Sequence, residues 1–375
     1  MNNVLLKIYP ELNLGDDLFL KIILERYPET RFYILADKQR YKEYEKRFKN
    51  LSIIDRLENV NVLDRLLLKF SKKLSVKQQG NIFRNFLQKQ HGSVLKSIDC
   101  FVTIGGSMFI EKRDATFQTN VHYYEFINAS LKNIPKFYLG CNFGPYYSDK
   151  FVDVFRNIFS EAADLSFREV SSKDILKLSQ IRINPDIVFG MHYQKSEQTK
   201  NSVGLVLVDP RVKMSNDKVS YVNYIDTISE LIKSLQERGK IVYLFSFCKS
   251  EKDEDLINEM ISLQIERPQV VVYDGNIDTF LEEYAKMEFM VCGRFHSMIL
   301  SMLYGQKILP LIYSEKMTNI LYDVNFEGKT VSITDLNKAS ISEYLELLDT
   351  NKYSTELVQK KAEGHFEILD KYLNK

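Results

Sequence analysis

A chain of 375 residues with 45% hydrophobic content is long enough to build two cores, and its 51 Lys plus Arg against 50 Asp plus Glu leave a formal net charge of +1. That balance excludes a bulk electrostatic case for nucleic acid or for a strongly acidic partner, so any basic surface is local. The four cysteines, Cys100, Cys141, Cys248 and Cys292, form no CxxC pair, which fits buried thiols in a reducing compartment and argues against a disulfide framework or a zinc site. The first residues, MNNVLLKIYPELN, hold too short an apolar stretch for a secretory signal, and no window offers about 18 uninterrupted apolar residues. The expectation is a cytoplasmic protein.

In chain order, short apolar runs rich in β-formers alternate with longer segments of helical period, the pattern of parallel sheets covered by helices on both faces. The first half predicts strands over 4–9, 31–36, 51–55, 100–105, 136–140 and 164–168. Residues 62–91 carry seven Lys or Arg and one acid, with Leu63, Leu66, Leu67, Phe70 and Leu74 at helical spacing. Such a segment suits either a helix packed on the domain with a solvated basic face or peripheral contact with an anionic membrane. The polar, aperiodic stretch 191–202 reads as a linker. Beyond it the alternation restarts, with strands over 202–208, 240–247, 269–274, 288–293 and 307–313 and helices over 219–238 and 252–264. The segment 353–375 reads as one amphipathic helix that crosses back to the first domain. The fold class expected is α/β, two doubly wound Rossmann-like domains facing a cleft, over 1–190 and 202–350.

Ligands of such sheets bind beyond the carboxyl ends of the strands, so the loops there are the places to search. In the first loop, NLGDD (13–17), Asn13 or Asp16 caps a helix and Gly15 permits a tight turn; capping and ligand binding explain Asn13, Gly15 and Asp16 equally well. In the second, Gly105, Gly106 and Ser107 leave backbone N–H groups for a phosphate, a carboxylate or a sugar hydroxyl. This is not the GxGxxG fingerprint, and the later GKT (328–330) lacks the upstream glycine of a phosphate loop. In the third, Ser171 and Asp174 resemble a capping box, while Arg168 ends an apolar strand within reach of Glu169 or Asp186. In the fourth, CGRFHSMIL (292–300), Arg294, His296 and Ser297 sit where a buried strand turns into a helix ended by Gly305. A helix N-terminus with a guanidinium fork suits an anion, and an imidazole beside that anion can carry a proton. His91, His122, His192 and His365 have no comparable context.

These pieces in order, NLGDD, IGGS (104–107), LGCNFGPY (139–146), SFREVSS (166–172), NPDIVF (184–189), CGRFHSMILSMLYGQKILPLIY (292–313) and Lys316, resemble the polysaccharide pyruvyl transferases over roughly residues 1–325. Many members have a third glycine where this chain has Ser107. The resemblance implies a GT-B-like fold and transfer of pyruvate from phosphoenolpyruvate to a sugar as a cyclic ketal, on surface polysaccharides or lipid-linked precursors at the inner face of the membrane. With that donor, Arg168 and Arg294 hold its phosphate and carboxylate, Lys316 adds a third cation, and His296 supplies the proton. No metal or other cofactor is required. The first domain takes the acceptor, with Asn142, Tyr146 and Tyr147 as its candidate surface, and the second takes the donor. Asp16, Asp17 and Glu111 are the candidate bases. A GT-B glycosyltransferase using a nucleotide sugar and a non-catalytic sugar-binding subunit are the competing readings.

Overall fold

The computed structural model describes residues 2–55, 61–194, 196–213 and 220–373. Position 195 of the expected linker, position 219 of an expected helix and positions 374–375 of the last one lie outside the described residues. The chain divides into two units. One holds Met1–Pro10, Phe19–Ile187 and Glu363–Lys375, the other Glu11–Leu18 and Val188–Ala362.

The first unit is built on a parallel seven-stranded sheet. Its strands are β1 (Asn3–Lys7), β2 (Arg31–Ala36), β3 (Leu51–Asp55), β4 (Cys100–Ile104), β5 (Lys136–Cys141), β6 (Asp164–Phe167) and β7 (Arg182–Ile183), in the order β3-β2-β1-β4-β5-β6-β7. Strands β4, β5 and β6 are buried along their whole length, because helices cover both faces of a parallel sheet and continuous apolar runs are what such strands need. Aromatic rings fill one side: Phe109 packs 5.1 Å from Tyr124, 5.1 Å from Phe155 and 4.9 Å from Phe159.

The second unit repeats the plan. Its strands are β8 (Thr199–Val206), β9 (Ile241–Ser246), β10 (Gln269–Val272), β11 (Met287–Cys292), β12 (Lys307–Ile312) and β13 (Val331–Ser332), in the order β10-β9-β8-β11-β12-β13. Leu205, Leu231, Ile232, Leu244, Val291 and Leu309 belong to its core. The order of strand addition reverses once in each sheet, at β1/β4 and at β8/β11, and these reversals are the topological switch points where doubly wound sheets take ligands. The two-domain Rossmann-like class expected from the alternation is what each unit shows.

The structure departs from expectation in four places. Glu11–Leu18 groups with the second unit instead of the first, as Leu14 N donates to Phe247 O at 3.0 Å. The strand β8 begins inside the expected linker. Residues 353–373 form two short helices, Glu356–Ala362 and Glu367–Tyr372, joined by a 3-10 turn. The helix expected to start with a Ser171–Asp174 capping box begins at Val170, without a side-chain cap. Ser172 instead accepts from Phe143 N at 2.9 Å.

The C-terminal segment seals the first unit with charges. Arg26 pairs with Asp370 at 2.6 Å and Glu363 at 2.5 Å, and Tyr27 donates to Asp370 at 2.7 Å. His365 is buried. Its Nε2–H donates to Pro185 O at 2.7 Å, which leaves Nδ1 to accept from Ser166 Oγ at 2.8 Å, while Asn184 donates to the same hydroxyl at 2.9 Å. Burial pushes this imidazole down to about 4, and His91, buried in the same unit, is pushed by burial to about 4 as well.

Unfolded histidines titrate near 6.5, so between about pH 6.5 and pH 4 the unfolded chain binds more protons than the folded one, and stability must fall as pH falls. Each group contributes on the order of 3 kcal/mol at full loss. A thermal-unfolding series should show a midpoint that is level above pH 6.5 and drops towards pH 4, and His91→Phe should flatten part of the drop.

Candidate functional site

The richest cluster of the second unit lies at the β8/β11 switch point. Gly293 leaves β11 with its N–H on Val206 O at 2.7 Å, and a Cβ there would stand 2.6 Å from that same oxygen. Only glycine fits this close crossing. Arg294 follows, then the helix Phe295–Leu303. Ser297 is fully buried and bonds back to the Arg294 backbone, accepting from its N at 3.2 Å and donating to its O at 2.5 Å. Ser297 thereby ties the first turn of the helix to Arg294.

Arg294 is bonded to two carboxylates that follow β9. Its side chain is 7% exposed, Nη1 donates to Glu251 at 2.6 Å, and Nη2 donates to Asp253. Asp253 in turn accepts from Phe247 N at 2.9 Å and Cys248 N at 3.0 Å. Burial works against the guanidinium charge, but Asp253 and Glu251 outweigh it and hold its pKa above the ordinary value. Burial pushes the Asp253 carboxyl upward, offset in part by Arg294. Two of its five N–H groups are thus directed at carboxylates, and these bonds hold the turn together.

His296 is placed differently. Its ring lies over Gly15, where a Cβ would come within 2.1 Å of Nδ1. The glycine of NLGDD is thus the clearance that admits the imidazole. Asn13 is the cap of that segment, its side chain accepting from Gly15 N at 3.1 Å and its carbonyl from Asp16 N at 3.0 Å and Asp17 N at 2.9 Å. Asp17 is buried and accepts from Tyr273 OH at 2.7 Å; Asp16 is half-buried at the same turn. Lys316 Nζ sits 5.0 Å from the centre of the Phe295 ring, next to His296 in sequence. His296, Gly15, Asn13, Asp16 and Lys316 thus belong to one unit.

In the first unit, Arg168 is 4% exposed and lies under the glycine pair. Nη1 pairs with Asp186 at 2.7 Å, Nη2 donates to Asn142 Oδ1 at 2.8 Å, and a Cβ on Gly106 would fall 2.5 Å from Nη2. Ser107 Oγ donates to the same Asn142 oxygen at 3.3 Å, and Asn142 N donates to Gly106 O at 2.9 Å. Gly105 carries φ +138°, a conformation that favours glycine. The pairing with Asp186 read from the sequence is present and fixes the guanidinium beneath the loop. Glu111 accepts from Tyr147 N, Ser148 N and Ser148 Oγ. Burial alone would raise its pKa, yet the Ser148 hydroxyl and the two N–H groups hold it below the ordinary value, so it makes a poor base. Tyr146 and Tyr147 are exposed.

Sequence reasoning missed a cavity of about 730 Å³ at the β1/β4 switch point, lined by Lys7, Tyr9, Phe83, Phe86, Ser107 and Tyr123 among others. Lys7 Nζ stands 4.6 Å from the Tyr123 ring centre. The signal was a lysine closing an otherwise apolar strand. Among the described residues, no three His, Cys, Asp or Glu side chains are grouped to hold a metal. All four cysteines are free and buried, and burial pushes Cys100 and Cys292 up to about 12.

The model of the polysaccharide pyruvyl transferase family matches residues 13–315. No curated protein matches the chain. Among solved structures, the chain is similar to UDP-GlcNAc 2-epimerase from Methanocaldococcus jannaschii, with 11% identity over 98% of this chain and 99% of that one and a TM-score of 0.61. It is similar to UDP-GlcNAc 2-epimerase from Neisseria meningitidis bound to UDP-GlcNAc, with 9% identity over 100% and 99% of the two chains and a TM-score of 0.59. It also resembles the Anabaena protein HepE in complex with UDP and glucose, with 13% identity over 100% and 97% and a TM-score of 0.54. These likenesses show a GT-B-type fold.

Removing one partner of a buried ion pair strands the other charge, at a cost of about 3–5 kcal/mol. Asp253→Ala should therefore lower the thermal midpoint steeply. Lys249→Ala, at an exposed position two residues before Glu251, should leave it unchanged in the same melting assay.

Proposed function

Because the chain belongs to the polysaccharide pyruvyl transferase family, we propose that it takes pyruvate from phosphoenolpyruvate and closes it as a cyclic ketal on a sugar of a surface polysaccharide or its precursor. The observation that carries this reading is the family match over residues 13–315, whose first segment supplies the glycine against which His296 is seated.

In this reading His296 gives its proton to the methylene carbon of phosphoenolpyruvate, and positive character develops at the neighbouring carbon. A sugar hydroxyl adds there and loses its proton. The C–O bond to phosphate then breaks, phosphate leaving with the electron pair, and a second hydroxyl of the same sugar adds and loses its proton to complete the ketal. Imidazole suits the first step because it exchanges a proton near neutral pH. Lys316 and the positive end of the helix Phe295–Leu303 offset the charge of the donor. Arg294 and Arg168 act one step back, holding their loops through Asp253, Glu251 and Asp186. Asp16 is the remaining candidate base. The β1/β4 cavity of the first unit has Tyr9 and Tyr123 for ring stacking and Ser107 for hydrogen bonding, the chemistry that recognises a sugar. No cofactor enters the scheme, and the donor is a cytoplasmic metabolite.

The test is ligand-induced thermal stabilisation with phosphoenolpyruvate and with a panel of nucleotide sugars, followed by phosphate release in the presence of acceptor. A ligand at 100 times its Kd adds about 2.7 kcal/mol, which reads as a clear shift. Phosphoenolpyruvate should stabilise the wild type. His296→Asn should keep that shift yet lose about 10²–10⁴-fold in turnover, and Lys316→Ala should weaken the shift itself. Stabilisation by a nucleotide sugar alone would replace this reading by a glycosyltransferase.

A further inference from the structure

Among the described residues no helix is long and apolar enough to cross a membrane, yet one helix is mounted with its apolar side facing out. The helix Val62–Ser71 turns Asp64, Leu68 and Ser71, spaced i, i+4 and i+7, towards the protein. Asp64 pairs there with Lys89 of the helix Val76–His91 at 2.6 Å, and Ser71 is buried. At about 100° per residue the opposite arc carries Val62, Leu63, Leu66, Leu67 and Phe70. All five are exposed, Leu63 by 68% and Phe70 by 61%, and Leu74 and Val76 extend the patch through the following turn. A surface helix of a water-soluble fold normally turns such a stripe to its core.

Charge selects what covers the patch. From 65 to 77 every formal charge is positive, Arg65, Lys69, Lys72, Lys73 and Lys77, and each of these side chains is exposed. A second copy of the chain would bring like charges together. An anionic bilayer meets both features at once: the apolar arc enters the boundary between headgroups and acyl chains, and the flanking cations stay at the headgroups.

We propose that the helix Val62–Ser71 and the turn after it dock the protein on an anionic phospholipid surface. This inference goes beyond the transferase reading and does not depend on donor or acceptor.

The experiment is flotation of the full chain with vesicles of phosphatidylcholine alone and of phosphatidylcholine mixed with phosphatidylglycerol. Binding should need the anionic lipid and weaken with added salt. The Lys69→Glu, Lys72→Glu, Lys73→Glu triple variant and the Leu66→Ser, Phe70→Ser double variant should each lose at least about tenfold in partitioning. Their thermal midpoints should stay at the wild-type value, because the substituted side chains are exposed. The chain contains no tryptophan, so Phe70→Trp gives a single reporter whose emission should shift to the blue on anionic vesicles. Absence of flotation, equal binding to neutral vesicles, or variants that bind like the wild type would overturn the proposal. So would a wild-type dimer that the Leu66→Ser, Phe70→Ser variant converts to monomer, since the face would then be a protein interface.

Discussion

A cation buried at the carboxyl edge of a parallel sheet must be met by fixed negative charge, and each unit of this protein is organised around one such pair. Arg294 draws in Glu251 and Asp253, and Asp253 also takes the N–H groups of Phe247 and Cys248. The loop after β9 and the turn after β11 are thereby tied at one point. Arg168 does the same work in the first unit, joining Asp186 to Asn142 under the glycine pair. Because a desolvated charge without a partner costs several kcal/mol, these loops have little freedom to rearrange. A stiff surround of this kind is what a site needs to hold a reacting group in place.

Missing side-chain carbons are the second half of the same device. Gly106 leaves room for the Arg168 guanidinium, Gly15 for the His296 imidazole, and Gly293 for the passage of β11 past Val206. In each case the glycine matters for what approaches it. The His296 imidazole is seated by the clearance over Gly15, and Arg294 next to it ties the turn to Glu251 and Asp253. In the proposed reaction the proton is carried by His296, and the Arg294 pair is the scaffold of its turn.

Much of the fold was legible because parallel strands buried on both faces must be continuous apolar runs. Eleven of the strand positions read from such runs correspond to observed strands, shifted at the ends by a few residues at most. The two edge strands, Arg182–Ile183 and Val331–Ser332, were not read, since two residues carry no periodicity. The Ser171–Asp174 capping box failed for a tertiary reason, as the helix begins at Val170 and the neighbouring Ser172 serves Phe143 N. The single terminal helix failed because His365 is drawn into the bonds offered by Ser166 and Pro185 and the chain tightens into a 3-10 turn there.

The amino-acid sequence by itself determined the class of the fold, the loops that carry chemistry and the family, because these depend on hydrophobic period and on residue types at short spacing. The pairing of Arg294 with Asp253 and the seating of His296 over Gly15 came from the tertiary structure alone. Asp253 lies 41 positions before Arg294, and Gly15 lies in the first loop of the chain, far from His296 in sequence. Electrostatic matching and steric clearance act through space, so no local pattern could tell a guanidinium that grips a substrate from one that is neutralised by the protein around it.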